Sequence, residues 1–363
     1  MSAKPKIVHV IDSLTRGGAE TLLVDLLPDL AEHYDIILVT LRPDRDFPLD
    51  QVVCSELHCL DYKGALSLLS CAWKLRRIIR RHRPWLVRSQ LYLSSIVARI
   101  ATPRSVPLVF SIHNPLSQDS YGKNPLALPL EKLTYARRHG LISVSEAALR
   151  DFDQWVGVRG RSFILYNYVN PAYFSRSRTR ASVGRPIRMV AVGMLKEQKN
   201  YFYLTEAFKQ LSGEDVSLDI YGDGPLRAAL QREIDAHRLP IVLKGKRPDI
   251  HALLPDYDLY VLSSHYEGFG IAPAEAMAAG LPLLLSDLEV LREVTAGNAL
   301  FFDPGDPRSF LAIVDKVRNG SAPLGALSLA GIEIARSRYG KQAYIEKLVS
   351  IYEAMARGKD EEG

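Results

Sequence analysis

The chain has 363 residues, of which 47% are hydrophobic and 24% charged, with a formal net charge of +5. That length suggests about two domains with a core each, and that composition excludes a disordered chain. No apolar run approaches the roughly 18 residues of a membrane-spanning helix, the first residues enter a strand without a signal peptide, and Cys54, Cys59 and Cys71 form neither a paired framework nor a metal-ligand spacing, so the expectation is a cytoplasmic protein with reduced thiols.

In chain order, residues 6–11 form a short apolar strand, followed by Asp12-Ser13-Leu14-Thr15-Arg16-Gly17-Gly18 and a helix from about residue 21. A strand, a double-glycine loop and a helix N-terminus make a close-approach site for a ligand, although Gly17 and Gly18 also suit a plain turn. Strands follow at 35–40, 85–89 and 107–112. Between them Leu68, Ala72, Leu75 and Ile79 recur at helical spacing while Lys74, Arg76, Arg77, Arg80, Arg81 and Arg83 carry no acid among them. This amphipathic helix reads as a solvated outer face, or as a patch for anionic lipid, where each basic residue contributes about 1 kcal/mol. No aromatic-interleaved basic motif supports a nucleic-acid partner. The strand at 107–112 delivers His113 at its carboxyl end, where open α/β sheets place ligands. Residues 114–132 read as a long loop, and Ser145 as the cap of a helix. Residues 175–186, polar, basic and turn-rich, read as the linker, with the domain boundary near 182. A second βα series begins at Arg188, with a strand ending at Gly193 and a loop through Met194, Lys196 and Lys199. A strand at 216–221 runs into Gly222-Asp223-Gly224, a further strand at 241–245 ends near Lys246 and Arg247, and Tyr344, Leu348, Ile351 and Tyr352 mark a terminal amphipathic helix. The tail, 358–363, is charged and reads as frayed.

The most informative stretch lies between the strands at 259–262 and 281–285. It reads Tyr266-Glu267-Gly268-Phe269-Gly270-Ile271-Ala272-Pro273-Ala274-Glu275 and closes a helix at Gly280. Pro273 reads as the first helical position, which puts Glu275 in the first turn. Gly268 and Gly270 allow backbone angles closed to other residues, and the helix N-terminus behind them suits a diphosphate. Glu267 and Glu275 would face that pocket as acceptors for sugar hydroxyls. On spacing alone, a helix-end carboxylate and a solvated loop residue fit equally well.

The stretch YEGFGIAPAEAMAAGLPLLLSD, with seven residues between its two glutamates, resembles the signature of the retaining glycosyltransferases of family 4 (glycosyl transferases group 1). The resemblance covers nearly the whole chain and is strongest over residues 188–307. It implies an α/β fold of the GT-B type, two Rossmann-like domains facing a cleft: 1–182 on the acceptor side, 183–335 binding the nucleotide sugar, and 336–363 a helix packing back on the first domain. It implies a UDP- or GDP-linked sugar donor as substrate, a glycan or lipid-linked acceptor, no cofactor and no metal. Glu267 and His113 take the catalytic positions. Gly193, Lys199, Gly222, Arg247, Gly268, Phe269, Gly270, Ile271 and Glu275 take the donor-binding ones, and Gly17 and Gly18 the loop of the first domain. The chain departs from the pattern at Met194, where the family usually has an arginine on the diphosphate, and at Tyr168, where it usually has glycine. Lys196, Lys246 or Arg247 could supply the missing cation. Polysaccharide biosynthesis, with the protein peripheral on the inner face of the plasma membrane through residues 74–83, is the resulting expectation. A nucleotide-sugar epimerase of the same fold and a non-catalytic nucleotide-sugar-binding partner are the alternatives.

Overall fold

A computed structural model describes residues 4–118, 124–211 and 215–357. The chain forms two compact units, Met1–Asn167 together with Gln342–Gly363, and Tyr168–Lys341.

The first unit runs β1 (Lys6–Ile11), α1 (Gly18–His33), β2 (Asp35–Thr40), β3 (Glu56–Cys59), α2 (Leu68–His82), β4 (Leu86–Gln90), α3 (Tyr92–Ala101), β5 (Leu108–Ile112), α4 (Ala127–Thr134), β6 (His139–Ser143), α5 (Glu146–Trp155) and β7 (Ser162–Ile164). Its seven strands lie in the order β3-β2-β1-β4-β5-β6-β7, and every pairing is parallel. Parallel neighbours need crossover helices that cover the sheet, so the inner strands are apolar along their length. β1 and β2 are buried after their first residue. The order reverses between β1 and β4, and the crevice at their carboxyl ends is where such sheets bind ligands.

The second unit runs β8 (Ile187–Val192), α6 (Tyr201–Gln210), β9 (Val216–Tyr221), α7 (Arg227–His237), β10 (Ile241–Gly245), α8 (Ile250–Leu253), β11 (Leu259–Leu262), α9 (Ile271–Ala278), β12 (Leu283–Ser286), α10 (Glu289–Thr295), β13 (Leu300–Phe302), α11 (Pro307–Arg318) and α12 (Leu324–Arg338). Its six parallel strands repeat the pattern as β10-β9-β8-β11-β12-β13, with the reversal between β8 and β11. One face of this sheet packs Met189, Leu218 and Val261 against Leu204, Phe208 and Phe310 of the helices.

The last helix, α13 (Lys341–Arg357), belongs to the first unit from Gln342 onward. Ile345, Leu348, Ile351, Tyr352 and Met355 are its buried stripe. The Tyr352 ring meets Tyr34 edge-on at 5.9 Å, and a Cβ on Gly140 would stand 2.8 Å from the Met355 sulfur. The expected return of the terminal helix to the first domain is what the fold contains.

Three expectations are corrected. Within the loop expected over 114–132, residues 127–134 are helix α4, held by a buried two-pronged pair in which Arg99 of α3 donates to Glu131 at 2.6 and 2.8 Å; residues 119–123 lie outside the described residues, as does the tail 358–363. The basic run 175–186 is built into the second unit, so the division falls at 167/168. Arg180 is buried there and donates to the backbone carbonyls of Tyr257, Pro255 and Gly280. Finally, α9 starts at Ile271, not Pro273. Gly270 caps it at φ 86°, and a proline inside the first turn removes only an N–H that has no partner in the helix. Glu275 therefore sits beyond the first turn.

Candidate active site

Two loops meet at the reversal point of the second sheet, one after β8 and one after β11. The Lys199 ammonium donates to Glu267 Oε1 at 2.6 Å, and both side chains are largely buried. The same carboxylate oxygen accepts from Ser264 Oγ at 2.6 Å. Around this pair the loops are laced to each other. Gln198 Nε2 donates to the Tyr266 carbonyl at 2.9 Å, the His265 N–H to the Gln198 carbonyl at 2.8 Å, and Ser263 Oγ to the Lys199 carbonyl at 2.9 Å. Buried polar networks of this kind fix a geometry because each member left unpaired would cost about 1–3 kcal/mol.

Behind the pair stand two glycine-dependent approaches. Gly270 holds φ 86° and turns the chain so that the N-terminus of α9, with its unpaired N–H groups and partial positive charge, follows directly on the loop. Gly268 is not among the positive-φ glycines. Gly222 holds φ 148°, and a Cβ there would lie 1.9 Å from the Gly193 carbonyl oxygen, so the turn after β9 packs backbone on backbone against the loop after β8. Phe269 is buried edge-on to Tyr339 at 5.3 Å, and Ile271, half-buried, opens α9.

Glu275 is half-buried on α9 and hydrogen-bonded by Tyr173. Burial pushes its carboxyl up to about 8, against the opposing pull of the Tyr173 hydroxyl. The group that the sequence reads as an acceptor for sugar hydroxyls is thus mostly protonated at neutral pH in the free chain.

The first unit carries its own cavity, of about 320 Å³, at the carboxyl ends of β1, β4 and β5. Asp12, Tyr92, Ser111 and His113 line it, over Phe110 and the Arg99–Glu131 pair. Asp12 Oδ1 accepts from the Ser94 N–H at 2.8 Å and from its hydroxyl at 2.7 Å; burial raises its carboxyl and those bonds oppose the rise. His113 Nε2 lies 3.5 Å from Gln90 Nε2, and Gln90 Oε1 lies 2.8 Å from His9 Nε2. Burial and the nearby Arg88 guanidinium push both imidazoles down to about 3. His113 is therefore neutral and suited to hydrogen bonding rather than to taking up a proton. Leu91, at the end of β4, adopts φ 72°, a strained left-handed backbone at the rim of the cavity.

Two family models cover most of this chain: one described as Glycosyl transferases group 1 matches residues 176–337, and one described as Glycosyltransferase Family 4 matches residues 16–173. The chain belongs to glycosyltransferase family 4. It is 26% identical to the EpsF protein of Bacillus subtilis over 82% of this chain and 83% of that one. It is 23% identical to the lipopolysaccharide core biosynthesis glycosyltransferase LpsD of Rhizobium meliloti over 96% and 98% of the two chains. Among solved structures, Anabaena HepE in complex with UDP superposes with a TM-score of 0.75 at 19% identity, covering 98% of this chain and 100% of that one. The fold is that of the GT-B glycosyltransferases.

In this glycosyltransferase, Lys199, Glu267 and the start of α9 come together as the sequence suggested. Other expected donor residues stand differently. Arg247 is exposed and gripped by Asp249 through bonds of 2.8 and 2.7 Å. Met194 is 43% exposed, so nothing in the packing demands its methionine. Gly17 and Gly18 have no positive φ; a Cβ on Gly18 would meet nothing within 4 Å, whereas one on Gly17 would run into the Glu20 carboxylate. Tyr168, the other departure, is buried with the Lys341 ammonium 5.6 Å from its ring centroid; its backbone has no positive φ, so tyrosine replaces glycine without strain. Sequence reasoning missed Ser264, Gln198 and Tyr173. Ser264 and Gln198 sit beside the motif residues in the loops but are of types common in any loop, and Tyr173 comes from a short turn at Pro171–Phe174 remote in sequence.

Proposed function

We propose that this chain moves a sugar from a nucleoside-diphosphate donor, UDP- or GDP-linked, to a hydroxyl of a glycan or lipid-linked acceptor during polysaccharide assembly. We propose further that transfer retains the configuration at the anomeric carbon and needs neither a bound metal nor a cofactor. The observation that carries this reading is the Lys199–Glu267 pair at the reversal point of the second sheet, just ahead of the N-terminus of α9. The HepE structure with UDP and the role in LpsD's name support the donor and the acceptor class.

On donor binding, Lys199 turns from Glu267 to the diphosphate, joined by the N–H groups at Gly268 to Ile271. Glu275 meets the ribose hydroxyls, and Glu267, released from its lysine, meets the sugar hydroxyls and the positive charge that develops at the anomeric carbon. The bond from that carbon to the phosphate oxygen breaks, the acceptor oxygen bonds on the same face, and its proton leaves with the diphosphate. His113 positions the acceptor as a neutral hydrogen-bonding group.

No helix among the described residues is long and apolar enough to cross a membrane. Leu66, Leu69 and Trp73 are exposed alongside Arg77, Arg80 and Arg81, a combination of apolar anchors and cations that suits the anionic inner face of a membrane.

A thermal-shift panel of UDP, GDP, ADP, dTDP and CMP on wild type and Glu275→Ala tests the donor. One nucleoside diphosphate is expected to stand out and to lose its effect in the variant. The anomeric configuration of the product and turnover after chelation test the two finer points. A flat panel would overturn the transferase reading and favour a non-catalytic partner, to which Met194 points.

A further inference from the structure

The edge strand β3 and the end of α2 hold a side-chain cluster that sugar transfer does not use. Glu56 and His58 lie two apart on β3, so they share one face of the strand, and His82 is the last residue of α2. Glu56 Oε2 stands 3.1 Å from His58 Nε2 and 3.5 Å from His82 Nε2. One ligand atom from each of the three lies within 4.8 Å of the others. Nitrogen and oxygen ligands about 2.0–2.1 Å from a tetrahedral zinc ion are about 3.3 Å apart, which matches the two measured separations.

His82 supplies the second observation. Its side chain is buried, and its Nε2 has no hydrogen-bond partner among the described residues. A buried ring nitrogen with no such partner, 3.5 Å from a carboxylate oxygen, is a group whose unmet bonding a metal ion would supply. None of the three lines the cavity of the first unit. β3 is a four-residue strand at the edge of the sheet, paired only with β2, and edge strands of that length are weakly held.

We propose that Glu56, His58 and His82 form a binding site for a divalent transition metal of the zinc class, which ties the edge strand β3 to the C-terminal end of α2. Two imidazoles and one carboxylate suit zinc and its neighbours, whereas magnesium and calcium take oxygen ligands. Each ring binds through an unprotonated Nε2, its remaining proton held on Nδ1. Glu56 and His58 are only half-buried, so solvent water completes the coordination.

The experiment strips the full-length protein with a chelator and returns zinc chloride. It reads metal stoichiometry, the unfolding temperature, amide exchange over residues 56–59, and the visible spectrum with cobalt in place of zinc. Wild type is expected to take one equivalent, to show a low-coordinate cobalt spectrum and slower exchange in β3, and to gain about a hundredfold in its folded-to-unfolded ratio at free zinc 100 times the dissociation constant. His58→Gln and Glu56→Gln, both at half-buried positions, are expected to lose all of these while keeping the nucleotide-dependent shift. His82→Gln serves as a third variant where it folds. The proposal is overturned if wild type shows no zinc-dependent change, or if the variants respond as wild type does, which would place the metal on other side chains. Loss of the nucleotide shift with the metal response intact would count only against the donor reading.

Discussion

Lys199 and Glu267 satisfy each other in the free chain at 2.6 Å, so the donor must offer enough to separate a largely buried pair. The family pattern that the sequence resembles implies one more cation here than the chain carries, with Met194 at its place. Met194 is 43% exposed, and a charge-assisted bond contributes about 1.5–3 kcal/mol. Met194→Arg is therefore expected to tighten binding of the preferred nucleoside diphosphate by roughly ten- to hundredfold, measured by calorimetry, with little change in unfolding temperature of the free protein. Unchanged affinity would mean that another cation already fills the role.

Glu275 makes a second prediction at this scale. Its carboxyl titrates at about 8 in the folded chain against an ordinary glutamate value of 4.5, chiefly because it is buried. The folded state holds this proton where the unfolded state has lost it, so the stabilisation is complete below about pH 4.5 and is lost as pH rises through 8. Relative to Glu275→Gln, wild type is expected to lose stability on the order of a few kcal/mol between pH 5 and 8.5, read as a divergence of the two denaturation profiles. Parallel profiles would refute the shift.

Among the elements, the legible ones owe their existence to local pattern. β1, β2, β9 and β11 read correctly because a strand buried in a parallel sheet is an apolar run between turn residues. Ser145 was legible as a cap, and it accepts from the Ala148 N–H at 3.1 Å. What was not legible depends on partners far along the chain. α4 is fixed by the Arg99–Glu131 bond, and Arg180 makes a packed segment of residues that read as a linker because distant carbonyls converge on it. Of the site, the loop glutamates and Lys199 were legible through their motif; the Tyr173 bond to Glu275 was not, since nothing local marks that tyrosine. The turn after β9 gives a test at the scale of elements. Gly222→Ala places a methyl 1.9 Å from the Gly193 oxygen at φ 148°, and the two loops must part. A loss of about 1–3 kcal/mol is expected by thermal unfolding, together with a weaker nucleotide shift because the Gly193 loop leads to Lys199. An alanine variant as stable as wild type would show that the contact relaxes freely.

Across the whole molecule, the fold repeats one plan twice, with one reversal of strand order in each copy. Helix α2 faces outward from the first copy, and its basic and apolar side chains predict behaviour at a surface. Arg77→Glu with Arg80→Glu is expected to abolish co-flotation with anionic vesicles and to leave binding to neutral vesicles and the nucleotide shift unchanged. Equal flotation of variant and wild type would dispose of the membrane surface.

Helix α13 ties the beginning of the chain to its end. Tyr352 is fully buried beside Tyr34, and residues 168–341 separate the helix from the rest of its unit. On the ribosome, the second unit has all of its core before α13 emerges, whereas the first has been exposed in part throughout that time. The earlier-made half must wait for the later-made one, and the long loop it closes costs entropy that only the last contacts repay. The first unit therefore gains its last helix only after the whole of the second has been made.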